Sequence, residues 1–110
     1  MATSFKNTLY NSLGTTPTIV KTTVNPGNTT VIGLSLTNLT DTIVTVSVQI
    51  QDTIANTTAY FLKGVMVPPN QSLRAVTGGE KLILTPSTNV IITSSLASSL
   101  DLVMSYVEIV

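Results

Sequence analysis

The sequence predicts an all-β fold: a single small β-sandwich, jelly-roll or immunoglobulin-like, of about eight antiparallel strands with an N-terminal arm. Three observations carry this. Over Thr29–Asp52, β-branched and aliphatic residues alternate with hydroxyl and amide residues, the period of two that marks a half-buried strand. Turn-forming residues recur every ~8–12 positions, as in sandwiches and barrels. At 110 residues the chain makes one domain.

Residues 1–15 are read as an arm and residues 16–110 as the sandwich. Phe5, Leu9 and Leu13 recur at a helical spacing, but Asn7, Thr8, Asn11 and Ser12 are poor helix formers. An extended arm lying against a neighbour or its own sheet is the better expectation. Thr16–Val24 is the first strand, with Pro17 at its start. Asn25-Pro26-Gly27-Asn28 matches a type II turn.

Thr29–Asp52 reads as a hairpin. Ile32, Leu34 and Leu36, then Val44, Val46, Val48 and Ile50, make its apolar side, and Asn38-Leu39-Thr40-Asp41 makes its turn. Its other side, Ser35, Thr37, Thr45, Ser47, Gln49 and Gln51, bears no charge and is expected to meet another subunit.

Thr57–Val67 follows as a long apolar strand, its internal Gly64 marking a bulge or a close backbone approach. Pro68-Pro69-Asn70 ends it. Ser72–Val76, a turn at Thr77-Gly78-Gly79-Glu80, Lys81–Thr85 and Asn89–Ser94 come next. Ser98–Val110 is apolar on both faces and is expected to be buried on both. Its last residues should be paired in the sheet or pressed against another subunit.

The chain is 43% hydrophobic and 9% charged, against about 25% charged in ordinary soluble domains. Five basic and five acidic residues cancel, so the clustered charge that nucleic acid requires is missing. Such a surface either stays wet through hydroxyls and amides or is covered by partners. The second reading is favoured, because low charge is what interface cores share. No apolar run approaches a membrane helix, and the N-terminal stretch is too polar for a signal peptide. Four Asn-X-Ser/Thr triplets, from Asn28, Asn38, Asn56 and Asn70, are expected by chance in so Thr- and Ser-rich a chain.

Sites of chemistry are hard to place. With no His and no Cys, the preferred ligands of zinc and the usual base for an activated serine are missing. The carboxylates Asp41, Asp52, Glu80, Asp101 and Glu108 do not follow a calcium-loop spacing. Asp52 and Asp101 could pair only if the fold brings them together, as a glycosidase would need. Gly78-Gly79-Glu80-Lys81 lacks the spacing of a phosphate loop. Arg74 and Lys81 read as lone surface charges; Tyr60, Phe61 and Tyr106 read as core or interface anchors rather than a stacking platform. No catalytic, cofactor-binding or metal-binding residue is expected, and no cofactor.

Several stretches in order carry a resemblance: Phe5-Lys6-Asn7-Thr8, Gly14-Thr15-Thr16, TTVIGLSLTN at 29–38, TAYFLKGVMVP at 58–68, GGEKLIL at 78–84 and VMSYVEIV at 103–110. In these the chain resembles short, uncharacterised virion structural proteins of tailed bacteriophages, decoration or tail-associated. The resemblance implies a β-sandwich built into the particle and no enzyme. The expectation that follows is a capsid decoration or cement protein stabilising the virion and assembled in the host cytoplasm. Its partners would be the major capsid protein or tail components and further copies of itself, for example as a trimer, with no nucleic acid and no membrane. A tail, neck or baseplate protein is the sibling expectation. A fibre-borne carbohydrate- or receptor-binding module is the rival, and it requires Tyr10, Tyr60 or Tyr106 to face solvent together.

Overall fold

A computed structural model describes residues 2–76 and 81–110. The described residues form nine strands and no helix: β1 (Thr3–Leu13), β2 (Thr18–Thr22), β3 (Asn28–Asn38), β4 (Val44–Asp52), β5 (Thr57–Val67), β6 (Ser72–Val76), β7 (Leu82–Leu84), β8 (Thr88–Ser94) and β9 (Leu100–Ile109). The expected turn at Thr77–Glu80 lies outside the described residues.

All pairings are antiparallel, and five of them are nested. β4 pairs β5, β3 pairs both β6 and β7, β2 pairs β8, and β1 pairs β9. The chain is thus one long hairpin rolled up on itself, the strand plan of a jelly roll. Rolling distributes the strands over two sheets. The front sheet runs β1-β9-β3-β6, with β7 also on β3; the back sheet runs β2-β8-β4-β5.

This plan changes the reading of Thr29–Asp52. The two strands are not a hairpin, for β3 lies in the front sheet and β4 in the back. The Asn38 side chain sets the crossing. Its Nδ2 donates to the carbonyls of Thr42 (2.8 Å), Val67 (3.0 Å) and Pro68 (3.2 Å), and its Oδ1 accepts from the Thr40 backbone N–H (2.8 Å). A buried amide bonded on every side directs the chain across the core. The polar residues expected to share one outer face are therefore divided, Ser35 and Thr37 on the front and Thr45, Ser47, Gln49 and Gln51 on the back.

Between the sheets, Val31, Leu34, Leu36, Leu102 and Met104 meet Val44, Val46, Val48, Val90 and Ile92, all buried. At roughly 1.5–3 kcal/mol for each fully buried aliphatic side chain, this layer is the main source of stability. Among the described residues every buried side-chain polar atom has a partner.

Bulges slip the alternation in several places, of which three matter here. Ile32 is an extra residue between Val31, opposite Tyr106, and Gly33, opposite Ser105. It is therefore half-buried rather than a core residue beside Leu34. A slip between Ile19 and Lys21 turns both Val20 and Lys21 inward. Gly64 takes φ 59°, its N–H donating to Ser47 Oγ at 3.0 Å, where β5 gains a residue on β4. That is the bulge its position suggested.

The turn at 25–28 is not type II, because Gly27 does not take the positive φ that turn requires. Its lack of a side chain serves close approach instead. A Cβ there would meet Val24 Cγ2 at 3.0 Å and the Ile109 carbonyl at 3.3 Å.

The N-terminal segment is extended, and residues 3–13 are the front sheet's edge strand against β9. It supplies the ninth strand. The ladder continues past both elements, with Ala2 and Val110 exchanging backbone bonds of 2.8 and 2.9 Å. The chain's last residues are thereby paired within the sheet. β9 buries only one face: Leu100, Leu102, Met104 and Tyr106 are buried, while Val103 is 47% exposed.

Candidate functional site

The face of β9 turned away from the core opens the largest question on the surface. Register aligns its residues with those of neighbouring strands in rows. Phe5, Val107, Thr30 and Ile83 form one row across β1, β9, β3 and β7. Leu9, Val103, Ser35 and Arg74 form a second across β1, β9, β3 and β6. Phe5 is 79% exposed, Leu9 66% and Ile83 68%. Monomers rarely leave large contiguous apolar patches in water, and those they leave mark contacts.

Between the two apolar rows lies a low row, Asn7, Ser105 and Gly33. Gly33 has no side chain to fill it, and a Cβ there would touch only Ser105 Cβ, at 3.9 Å. Shallow depressions flank Ser105 on either side. One is lined by Phe5, Asn7 and Ile32, the other by Gly33, Arg74 and Val103. The front face thus has two ridges and a trench.

Beneath one end of this face sits a polar plug that ties the sheets together. Glu108 of β9 accepts from Lys21 Nζ of β2 at 2.9 Å and from Lys6 Nζ of β1 at 3.0 Å. The Lys21 and Glu108 side chains are 9% and 10% exposed. Lys21 also lies over the Tyr106 ring, 4.3 Å from its centroid. Hydrogen bonds from Lys21 first, then Lys6, hold the Glu108 carboxyl below the usual carboxylate range. The bond to Glu108 in turn raises Lys6 above the ordinary lysine value. Nothing in the sequence signalled this cluster, because only the β2 bulge points Lys21 inward.

The other acidic residues do local work. Asp52 Oδ1 accepts from the N–H groups of Ile54 and Ala55, at 3.0 and 3.1 Å, and shapes the β4–β5 loop. Asp101 Oδ1 accepts from the Ser12 N–H at 3.0 Å, and Asp41 from Asn70 Nδ2 at 3.2 Å. Asp52 faces Thr88 in the back sheet, whereas Asp101 faces Thr37 at the opposite end of the front sheet, so the two do not form a catalytic pair. Glu80 lies outside the described residues. Among the described residues no group of three acidic side chains converges on a possible metal site.

The tyrosines do not form one platform. Tyr106 is buried. Tyr10 sits on β1 with its hydroxyl 3.4 Å from the Ile19 carbonyl, and Tyr60 is on β5, at the far edge of the other sheet. Arg74 is exposed at the rim of the front face.

No protein-family model matches the sequence, and no curated protein does. Among solved structures the chain is similar to one described by the words "Bacillus endospore appendages form a novel family of disulfide-linked pili". The identity is 13%, the TM-score is 0.54, and the match covers 97% of this chain and 85% of that one. At this identity the likeness speaks for a shared β-sandwich fold.

Proposed function

We propose that this chain is a non-enzymatic structural subunit whose role is to assemble. The observation that carries the reading is the pair of apolar rows on the front sheet, Phe5–Val107–Ile83 and Leu9–Val103, in which the described residues leave Phe5, Leu9, Ile83 and Val103 exposed and Val107 half-buried. Area and shape, rather than charge, would drive the contact: among the described residues, the only charged side chains placed on that face by register are Asp101 and Arg74, both toward one end. The likeness to a subunit of a pilus supports an assembling role for such a sandwich. These 110 residues contain no cysteine, so a disulfide linkage of the kind named for those pili is not open to this chain, and its contacts would be non-covalent.

The concrete form of the proposal is a component of a tailed-phage virion. It would be a capsid decoration or cement protein, held to the major capsid protein and to further copies of itself. A weakly charged face suits this work, because burying it desolvates few ions. Reconstruction of purified particles by cryo-EM tests it. Repeated density of this sandwich on the outer shell is the expected result. Density on the tail or baseplate would transfer the role there, and particles without the chain would overturn the virion reading.

A further inference from the structure

We infer that the front face takes a second copy of this same chain, and that the two copies interlock by setting the Phe5–Val107 ridge of each into the Ser105–Gly33 trench of the other. The inference rests on the assembling role proposed above and names the partner. A two-fold contact demands a surface complementary to itself: if residue i meets j, then j meets i. The front face meets that demand. Ridge and trench are neighbouring rows, two residues apart along β9 and therefore separated by roughly 7 Å. A two-fold axis lying across the strands midway between these rows places each ridge over the partner's trench. Val107 then faces the partner's Ser105, and Phe5 faces the partner's Asn7.

The area is adequate. The longest front strands, β1 and β3, have 11 residues each, which makes them about 36 Å long. Four strand positions at ~4.8 Å spacing make the face close to 20 Å wide. Each copy would bury on the order of 700 Å², or about 1,400 Å² for the pair, within the range of stable interfaces. The aligned residues of ridge and trench carry no charge, and the ionised groups that border the trench are Lys6 at one depression and Arg74 at the other. Such an interface closes at two copies, so it yields a pair rather than the trimer expected from the sequence.

The wild-type chain alone should sediment as a dimer whose proportion rises with concentration. Val107→Asp and Ser105→Lys each place a charge at the centre of the contact. Each variant should weaken its own association by about tenfold or more. Mixing the two should restore a dimer, because each Asp then meets a Lys across the axis. If both variants are weakened and the mixture does not recover, the ridge-in-trench register is wrong. A wild-type chain that stays monomeric at high concentration overturns the second copy as partner. Should that monomer still be found in purified particles, the assembling role stands and its partner is another protein. A dimer that forms while the chain is missing from particles leaves the interface intact and removes the virion.

Discussion

On the back sheet, Thr22 Oγ1 donates to Asn89 Oδ1 at 2.7 Å and Asn89 Nδ2 donates to Gln51 Oε1 at 3.0 Å, a hydrogen-bonded row across three strands. Nearby, the Ser47 and Ser95 hydroxyls accept backbone N–H groups from Gly64 and Thr45. On the front sheet the corresponding rows are Phe5–Val107–Thr30–Ile83 and Leu9–Val103–Ser35–Arg74. Both faces carry few charges and both hold hydrogen-bonded polar residues, Thr37 with Ser72 at 2.8 Å on the front, but the front one also sets two apolar rows side by side. The back face's apolar members are Ile19, Ile91 and Tyr60, in a row interrupted by Gln49, and Met66 by itself opposite Thr45. The contrast locates the meaning of the low charge content. A few ionised groups spread over 110 residues say little; an unpartnered apolar row beside a satisfied polar one says which side meets a partner.

The strongest way to break the comparison is to put one charge on each face. Val103→Glu, in the second apolar row of the front face, should lower affinity about tenfold or more, because a carboxylate would be desolvated there without a partner. Thr93→Glu, on the back face opposite Ser47, should leave association unchanged. Sedimentation velocity over a concentration series reads both. Equal effects from the two variants would mean that the faces do not differ in role.

A second test asks what keeps the two faces on opposite sides of one molecule. Lys21 reaches from the back sheet to Glu108 on the front, both nearly buried. Lys21→Met should cost about 2–3 kcal/mol in chemical denaturation, since it leaves a buried carboxylate with Lys6 alone. The same contact makes stability depend on pH. Glu108 has a depressed folded pKa, so its contribution is complete above the unfolded glutamate value of about 4.3. It is lost as the pH falls below that and through the folded value. Lys6 has a raised folded pKa, so its share is complete below the unfolded lysine value, about 10.4, and is lost as the pH rises through the folded one. Melting curves of the wild type and Glu108→Gln should accordingly converge in acid. A constant gap from neutral pH down to acid would show that the carboxylate's charge does not hold the sheets together.

Much of this architecture was legible because strand limits are a local property. The segments read at 57–67 and 72–76 coincide with β5 and β6, and alternation at Val44–Ile50 marks β4 correctly. Strand partners are not local. Whether Asn38-Leu39-Thr40-Asp41 makes a hairpin or a crossing depends on Asn38 reaching the carbonyls of Val67 and Pro68, some thirty residues away. The bulges at Ile32 and at Val20–Lys21 shift the inward set by one residue, and alternation cannot announce its own exception. The candidate surface was half legible. The two apolar faces of β9 were visible in Leu102, Val103, Met104 and Val107, but periodicity alone does not say whether the second face is covered by the same chain.

The smallest effects make the finest test. Asn89→Ala, on the back face, removes the middle of the hydrogen-bonded row and leaves Thr22 and Gln51 without their partner. It should cost about 1–2 kcal/mol of stability and leave association intact. Phe5→Ser, on the front, should do the reverse. Its ring is 79% exposed, so the folded monomer gains little from it and stability should stay within about 0.5 kcal/mol of wild type. Backbone pairing of β1 with β9 does not need the ring, because the ladder from Ala2–Val110 to Tyr10–Leu102 is made by main-chain groups. Yet association should fall measurably, since the ring is the most exposed apolar group of the ridge. A residue that matters for contact and not for folding is what an assembly surface predicts. If Phe5→Ser instead lowers the melting temperature as much as Asn89→Ala, the ring is holding the sandwich together, and the distinction between the two faces loses its best evidence.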